Sequence, residues 1–230
     1  MVRTLSQLIL LAFVGSAAAF LHQPFTVCRG SAFKLNAKKS SGEPVHTYSI
    51  GTFVEFEEKK RTHLGKVDDV QYKSSGQARY TVLDAEGHKY QIPSKAVHYS
   101  IPCPNSPGQA TKLFDEFLIA GQASQQLIEK KLDISPDLLE MAWEETLEED
   151  GEHVLTADSL VELVHSHAAS AIEKYMAWRL LGTEMAHIFF RDIKDHGTVV
   201  GFKAKARSAV EAAKIHFCQT HQDDNEICFV

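Results

Sequence analysis

The chain of 230 residues lacks a cysteine pattern that could hold a small fold together. Its four cysteines are Cys28, Cys103, Cys218 and Cys228, which lie far apart and never in Cys-x-x-Cys spacing. Disulfide scaffolds and zinc ribbons need paired or closely spaced cysteines, so both classes are excluded. We therefore expect reduced thiols in a reducing compartment.

Motifs that carry catalysis or bind a cofactor are also missing. There is no glycine-rich phosphate loop, no nucleophile elbow and no His-Glu-x-x-His, although the chain has twelve histidines. Paired carboxylates such as Asp68–Asp69 and Glu148–Glu149 are adjacent in the chain, whereas two-metal catalysis needs carboxylates that converge on one cleft. The sequence accordingly predicts no catalytic residue, no metal site and no cofactor.

The chain has neither an overall positive charge nor a long apolar run after its N-terminus. Its formal net charge of −6 divides into +4 over residues 1–48, +1 over 49–102, −10 over 103–182 and −1 over 183–230. The acidic middle would repel phosphate, which excludes a broadly basic nucleic-acid binder. No later segment is apolar enough to span a bilayer, so we expect no membrane association of the mature form.

The N-terminus has the composition of a two-part leader. Residues 1–19 have the pattern of a signal peptide, with a short apolar core at Leu8–Val14 and a small-residue cleavage site at Ala17–Ala19. Residues 20–48 begin as a basic, serine-containing stretch without acidic residues, which is typical of a transit peptide. With Phe20 directly after the cleavage site, the pair resembles the leader of algae whose plastids lie inside the endomembrane system. We expect plastid import, with plain secretion as the alternative.

The segment 49–102 is predicted to form a small SH3-like β-barrel. It contains short runs rich in β-branched and aromatic residues, each bounded by Gly, Pro, Asp or Ser. Val54–Glu57 alternates apolar and acidic side chains, so one strand face can be buried. About five strands in so short a segment would expose their edges unless the sheet closes. Pro93–Val97 suits a single helical turn before the last strand.

Helical periodicity dominates the rest of the chain. Prolines predict a linker over 103–110, and apolar spacing predicts helices within 111–217, with the first one either ending near Gly121 or continuing to Leu132. Further predicted features are a Ser135–Pro136 helix start, a Thr156 cap, a helix over Ala168–Leu181, strands Ile188–Ile193 and Thr198–Phe202, and a helix over Ala206–Phe217. Helices followed by a hairpin are the order of a winged helix, with 218–230 as a tail. The predicted fold class is therefore α+β, with a small SH3-like β-barrel followed by a winged-helix domain after a cleaved leader.

Barrel and helical region together resemble the N-terminal, non-catalytic part of plastid and cyanobacterial ribonuclease II-like exoribonucleases. The resemblance rests on Gly51–Phe56, Leu64–Val67, Tyr80–Gly87, Leu138–Trp143, Val154–Leu163 and His187–Phe202. In that family, RNA is shortened from its 3′ end by a large downstream domain that holds magnesium, so no catalytic residue can be carried over to this chain. The resemblance implies either an accessory RNA-binding and RNA-processing module or a truncated gene model of such an enzyme.

Candidate RNA contacts are the cations of the barrel and of the hairpin, together with two tyrosines that could stack on bases. Phosphate needs mobile or bidentate cations, and unpaired bases need flat rings. The candidates are Lys66, Arg79, Tyr80, Lys89, Tyr90, Lys95, Arg191, Lys194, Lys203, Lys205 and Arg207. The expected partner is single-stranded RNA. The alternative is a protein–protein adaptor without RNA contact, whose acidic helix around Glu140–Glu149 would bind a basic protein.

Overall fold

The computed structural model of this chain describes residues 48–74, 77–148, 153–195 and 198–221. The predicted leader and residues 222–230 of the predicted tail lie outside these ranges. Within the described ranges, no helix has the length and hydrophobicity needed to cross a membrane. Cys103 and Cys218 are both free thiols.

The first structural element is a five-stranded antiparallel sheet. Its strands are β1 (Phe53–Glu58), β2 (Arg61–Tyr72), β3 (Ala78–Leu83), β4 (Lys89–Pro93) and β5 (Val97–Ile101), and their order in the sheet is β4-β3-β2-β1-β5. All five lie within the segment predicted to hold strands. The predicted helical turn before the last strand is confirmed as a 3-10 turn over Ser94–Ala96.

Alternation of side chains gives the sheet a buried face. Val54, Phe56, Tyr80 and Val82 are fully buried and form a core with Ile92 and neighbouring apolar residues. The strands β1 and β2 are joined by a two-residue turn, Lys59–Lys60, between the paired residues Glu58 and Arg61. Both lysines have positive φ, 53° and 64°. Such turns normally use Asn and Gly, because a Cβ atom is strained in this conformation.

Seven helices and a hairpin make up the remainder of the described chain. The elements are α1 (Pro107–Gln122), α2 (Gln125–Leu132), α3 (Pro136–Glu148), α4 (Ala157–His165), α5 (Ala171–Leu181), α6 (Ala186–Phe189), β6 (Phe190–Asp195), β7 (Thr198–Ala204) and α7 (Arg207–Thr220). The predicted starts of α3 and α4 are confirmed, since Ser135 Oγ accepts from the Leu138 N–H at 3.3 Å and Thr156 makes a capping box with Ser159. α1 begins inside the segment predicted as linker, with Pro107 in its first turn.

The structure decides between the two alternatives for the first helix and corrects one predicted strand. The helix ends at Gln122 and does not continue to Leu132, because Ala123 is extended and the hydroxyl of Ser124 caps a new helix by accepting from the Leu127 N–H. The predicted strand Ile188–Ile193 begins only at Phe190, and the residues before it form the short helix α6. Ile188 and Phe189 are both buried, so their hydrophobicity reflects the core rather than a strand.

The helices and hairpin have the layout of a winged helix. Leu155, between α3 and α4, pairs with Phe202 of β7 through two backbone hydrogen bonds of 2.8 Å. It therefore adds a one-residue third strand to the β6–β7 hairpin, the wing. The order α3, short strand, α4, α5 and wing matches the sequence-based prediction of a winged helix.

Besides the core within the sheet, a second hydrophobic core is shared by the sheet and the helices. Phe53 and Ile101 of the sheet belong to the same buried cluster as Phe117 of α1 and Tyr175 of α5. A Cβ atom on Gly121 would overlap the Leu64 side chain, so α1 approaches the sheet as closely as only glycine allows. The sheet and the helical region are therefore packed as one body over the described part of residues 48–221.

Candidate nucleic-acid interface

The predicted cations of the sheet are all exposed. Lys66 lies on β2, Arg79 on β3, Lys89 at the start of β4 and Lys95 in the 3-10 turn. Lys89 Nζ lies 3.7 Å from an Asp68 carboxylate oxygen, an exposed pair of little energetic weight. The other three make no ion pair with any residue that the structure describes. All four are thus sterically accessible to phosphate.

The two predicted stacking tyrosines lie in different environments. Tyr80 is fully buried in the sheet core, and its hydroxyl oxygen accepts a hydrogen bond from the Tyr48 N–H at 3.2 Å. Its ring is therefore not available to a base, contrary to the prediction. Tyr90 is half-buried, packs against Phe56 and His63, and donates its hydroxyl hydrogen to Asp84 at 3.1 Å. Only part of the Tyr90 ring remains for stacking.

The wing places two cations side by side. Arg191 of β6 is directly opposite Lys203 of β7 in the register, with Arg191 exposed and Lys203 half-buried. Like charges opposite each other on an antiparallel pair repel. Neither residue has an ion-pair partner among the described residues. A bound anion would relieve this repulsion, so the pair is electrostatically suited to a phosphate.

Three other predicted cations are engaged within the protein. Lys194 Nζ lies 3.5 Å from the Asp192 carboxylate. Lys205 donates its ammonium hydrogen to the main-chain carbonyl of His187, which ties the exit of the wing to α6. The guanidinium of Arg207 lies 5.6 Å from the Trp143 ring centre and 3.4 Å from a Glu144 oxygen. We assign Lys205 to packing, whereas Arg207 remains exposed, because the side chains of its pair with Glu144 are 58% and 51% accessible.

The position of α5 restricts how the winged helix could meet a nucleic acid. In helix-turn-helix proteins, the second helix of the pair enters the major groove. Here that position belongs to α5, yet none of its residues is exposed. It packs against α1, α2, α4 and the sheet, and Tyr99 of β5 contacts both Tyr175 and Trp178 at ring distances of 5.1 and 5.0 Å. Groove reading by α5 is therefore blocked in this arrangement.

The acidic helix α3 has partners within the same chain. Glu140 accepts from Lys214 of α7 at 2.6 Å, and Glu144 pairs with Arg207 at the start of that helix. Asp137 and Glu145 are exposed. Part of the negative charge that suggested a basic protein partner is thus offset by these two cations of α7.

The β1–β2 hairpin carries a basic turn that is absent from the predicted RNA contacts. Lys59, Lys60 and Arg61 are consecutive, exposed and located at the tip of the β1–β2 hairpin. The signal was present as three adjacent cations between two alternating strands. The segment does not have the Asn-Gly or Asp-Gly dipeptide that usually indicates such a turn, so the turn was not predicted.

One cluster has the composition of a cation site but a simpler structural role. Ligand atoms of Asp84, Glu86 and His88 lie within 4.8 Å of one another in the β3–β4 turn. Asp84 accepts hydrogen bonds from the main-chain N–H groups of Glu86 and His88 at 2.9 and 2.8 Å. Partial burial raises the pKa of Asp84, but these bonds and the one from Tyr90 outweigh it and lower the pKa. The carboxylate therefore closes the turn.

Comparison with known proteins identifies part of this architecture. Residues 125–209 match the family described as ribonuclease II, winged helix domain. The match runs from the first residue of α2 into the first turn of α7 and includes the wing. No curated protein and no solved structure shows significant similarity to the chain. Residues 125–209 are thus similar to the winged helix domain of ribonuclease II.

Proposed function

We propose that this protein is an accessory RNA-binding module of the kind found in the N-terminal, non-catalytic region of plastid and cyanobacterial ribonuclease II-like exoribonucleases. In this proposal, the five-stranded sheet is an SH3-like barrel, and the ligand is single-stranded RNA. The observation that carries it is the opposed Arg191–Lys203 pair on the wing of a ribonuclease II-like winged helix.

The geometry favours single strands over duplexes. A groove-reading helix must be exposed, and α5 is covered by the sheet and by α1 and α2. Accessible cations are instead distributed over the wing, the sheet and the Lys59–Lys60 turn. A flexible single strand can follow such scattered charges, whereas a rigid duplex needs them on one continuous face. RNA contact through the wing and the sheet is therefore the function that the surface supports best.

The adaptor alternative is less well supported. Its basis was the acidic helix, and Glu140 and Glu144 of that helix already pair with Lys214 and Arg207. A basic partner would have to displace these internal pairs. We therefore retain RNA binding as the single proposed function.

We further propose import into the plastid. The support is the Ala-Ala-Phe junction at residues 18–20, followed by a basic stretch without acidic residues. A reporter fused to residues 1–48 should reach the plastid, and Phe20→Ala should hold it in an outer compartment. Secretion of the unmutated fusion would contradict the proposal.

The test of RNA binding compares two pairs of charge removals. The full chain is titrated with a fluorescent single-stranded RNA at several salt concentrations. Arg191→Ala/Lys203→Ala should weaken binding and reduce the slope of log affinity against log salt by about 1.4, since each single-strand phosphate contact contributes about 0.7. Lys130→Ala/Lys131→Ala removes the same charge from the exposed side of α2 and serves as the matched control.

Two results would argue against RNA binding. The first is an equal effect of both double variants, which would indicate only a dependence on net charge. The second is no binding by the unmutated chain at about 50 mM salt, where even non-specific cationic surfaces normally bind.

A further inference from the structure

A cleft of about 240 Å³ lies where the wing, α5 and the sheet meet. Glu55 of β1 lines one side, Trp178 and Arg179 of α5 another, and Asp192 and Phe202 of the wing a third. Its volume is somewhat below the range of 300–1,000 Å³ usual for drug-sized ligands, so it suits a single ring system. None of the predicted RNA contacts lines this cleft.

The charged groups of the cleft have opposite signs. Glu55 and Asp192 contribute carboxylates, Arg179 a guanidinium and His187 an imidazole. Two carboxylates disfavour a phosphate or another small anion, and the guanidinium disfavours a metal cation. Such a mixture instead matches a neutral ligand that carries both donors and acceptors at its edge.

Each polar group retains hydrogen-bonding capacity. Glu55 accepts from the Tyr175 hydroxyl on one oxygen, which leaves its second oxygen. Asp192 is contacted by His187 Nε2 at 3.0 Å on one oxygen and by the exposed Lys194 Nζ at 3.5 Å on the other, and Arg179 donates through one nitrogen to the Ala120 carbonyl. A carboxylate has about four acceptor positions and a guanidinium five donors. The cleft therefore offers both acceptors and donors, beside the half-buried indole of Trp178.

The edge of a nucleobase fits this description. Adenine, cytosine and guanine carry an amino group that can donate a hydrogen bond to a carboxylate. They also carry ring-nitrogen or carbonyl acceptors for Arg or His, and a flat face that packs on an indole. Asp192 and Phe202 are register partners near the base of the wing, on the face opposite Arg191 and Lys203. A single strand that passes from the cation face around the edge of the hairpin could place one base in the cleft.

We propose that this cleft binds one unpaired, amino-bearing base of the RNA, while the cations on the other face of the wing hold phosphates elsewhere on the same strand. The inference rests on the proposed RNA-binding function and adds a base-binding site to it. Glu55 and Asp192 accept hydrogen bonds from the amino group, Arg179 donates to the base acceptors, and Trp178 provides an aromatic surface.

Free nucleosides test the cleft separately from the phosphate contacts. The chain has two tryptophans, and Trp143 is only 4% exposed, so quenching by a small ligand is expected from Trp178. Adenosine and cytidine should quench the fluorescence of the full chain, and Trp178→Phe should abolish this change. Uridine, which lacks the amino group, should bind about tenfold more weakly, as expected for loss of one hydrogen bond to a charged acceptor.

A cleft-filling variant and its control make the test specific. Gly182 lines the cleft with φ −83°, and an added Cβ would lie no closer than 3.5 Å to its nearest neighbour, so Gly182→Leu should fold. Gly108→Leu places the same side chain in open space on α1. We expect adenosine quenching to be lost only in Gly182→Leu.

The RNA and adenosine experiments together distinguish failure of the cleft proposal from failure of the proposed RNA-binding function. One outcome is that RNA binds in the salt-dependent way described above while adenosine at about 10 mM leaves the tryptophan fluorescence unchanged. In that case the cleft proposal is wrong and the proposed RNA-binding function stands. If adenosine binds but RNA does not, the cleft is a nucleoside site and its assignment to RNA is overturned. Equal quenching in Gly182→Leu and Gly108→Leu would place the nucleoside elsewhere.

Discussion

The hydrogen bond between Tyr175 and Glu55 offers a direct test of the shared core. Tyr175 of α5 is completely buried, and its hydroxyl donates to Glu55 of β1, which is 8% exposed. Its ring contacts Phe117 and Tyr99 at centre distances of 4.7 and 5.1 Å. Tyr175→Phe would keep this ring packing and remove only the hydroxyl.

The loss of stability expected for Tyr175→Phe follows from the burial of Glu55, the carboxylate that accepts the hydrogen bond. Burial, followed by the nearby Glu55 charge, raises the pKa of Tyr175, so the phenol stays protonated and acts as the donor. A hydrogen bond to a charged group contributes about 1.5–3 kcal/mol, and a buried carboxylate that loses its donor is penalised further. We therefore expect Tyr175→Phe to lower the free energy of unfolding by about 2–3 kcal/mol. In a body of this size that corresponds to a decrease in Tm of about 4–12 °C.

Urea unfolding followed by circular dichroism measures the effect. A double-mutant cycle combines Tyr175→Phe, Glu55→Gln and the double variant. Its coupling energy isolates the hydrogen bond between the two side chains. Tyr72→Phe is the matched control, because it removes the same hydroxyl from a side chain that is 66% exposed and should change stability by less than about 0.5 kcal/mol. A loss below about 0.5 kcal/mol at Tyr175, or separate unfolding of the sheet and the helices, would refute the shared core.

Two further predictions concern the basic turn and the dependence on pH. Replacing Lys59–Lys60 by Asn-Gly should raise the free energy of unfolding by about 1 kcal/mol, because it removes two strained positive-φ lysines. The control Lys59→Gln/Lys60→Gln removes the charges and keeps the strain, so it should not raise the free energy of unfolding in the same urea assay. Burial, and secondarily Asp158, raises the pKa of Tyr99 to about 12, against about 10 in the unfolded chain. Folding thus favours the protonated form, so the contribution of Tyr99 to stability should be constant up to about pH 10 and fall toward pH 12 by about 1.4 kcal/mol per pH unit at most, and Tyr175, whose pKa burial also raises, adds to this fall. Stability that is unchanged between pH 9 and 11 would contradict the burial of this hydroxyl.

The sequence by itself determined those features whose energetics are local. Ser135 and Thr156 cap helices because their hydroxyls reach main-chain N–H groups three residues away, which needs no tertiary contact. The strands of residues 49–102 and the β6–β7 hairpin follow from alternation and turn residues in the same way. The matched ribonuclease II-like winged helix agrees with the predicted order of helices and wing.

Only the tertiary structure decided which side chains are available for function. Tyr80 and Tyr90 have similar sequence surroundings, yet the sheet register buries the first completely and leaves the second half-exposed. Lys205 is as basic as Arg191, but the position of α6 gives its ammonium group an internal partner, the His187 carbonyl. Occlusion of α5 and the mixed-charge cleft arise from residues more than a hundred positions apart, such as Glu55 and Tyr175. Contacts of that range depend on how elements pack against one another, and no local pattern in the chain encodes them.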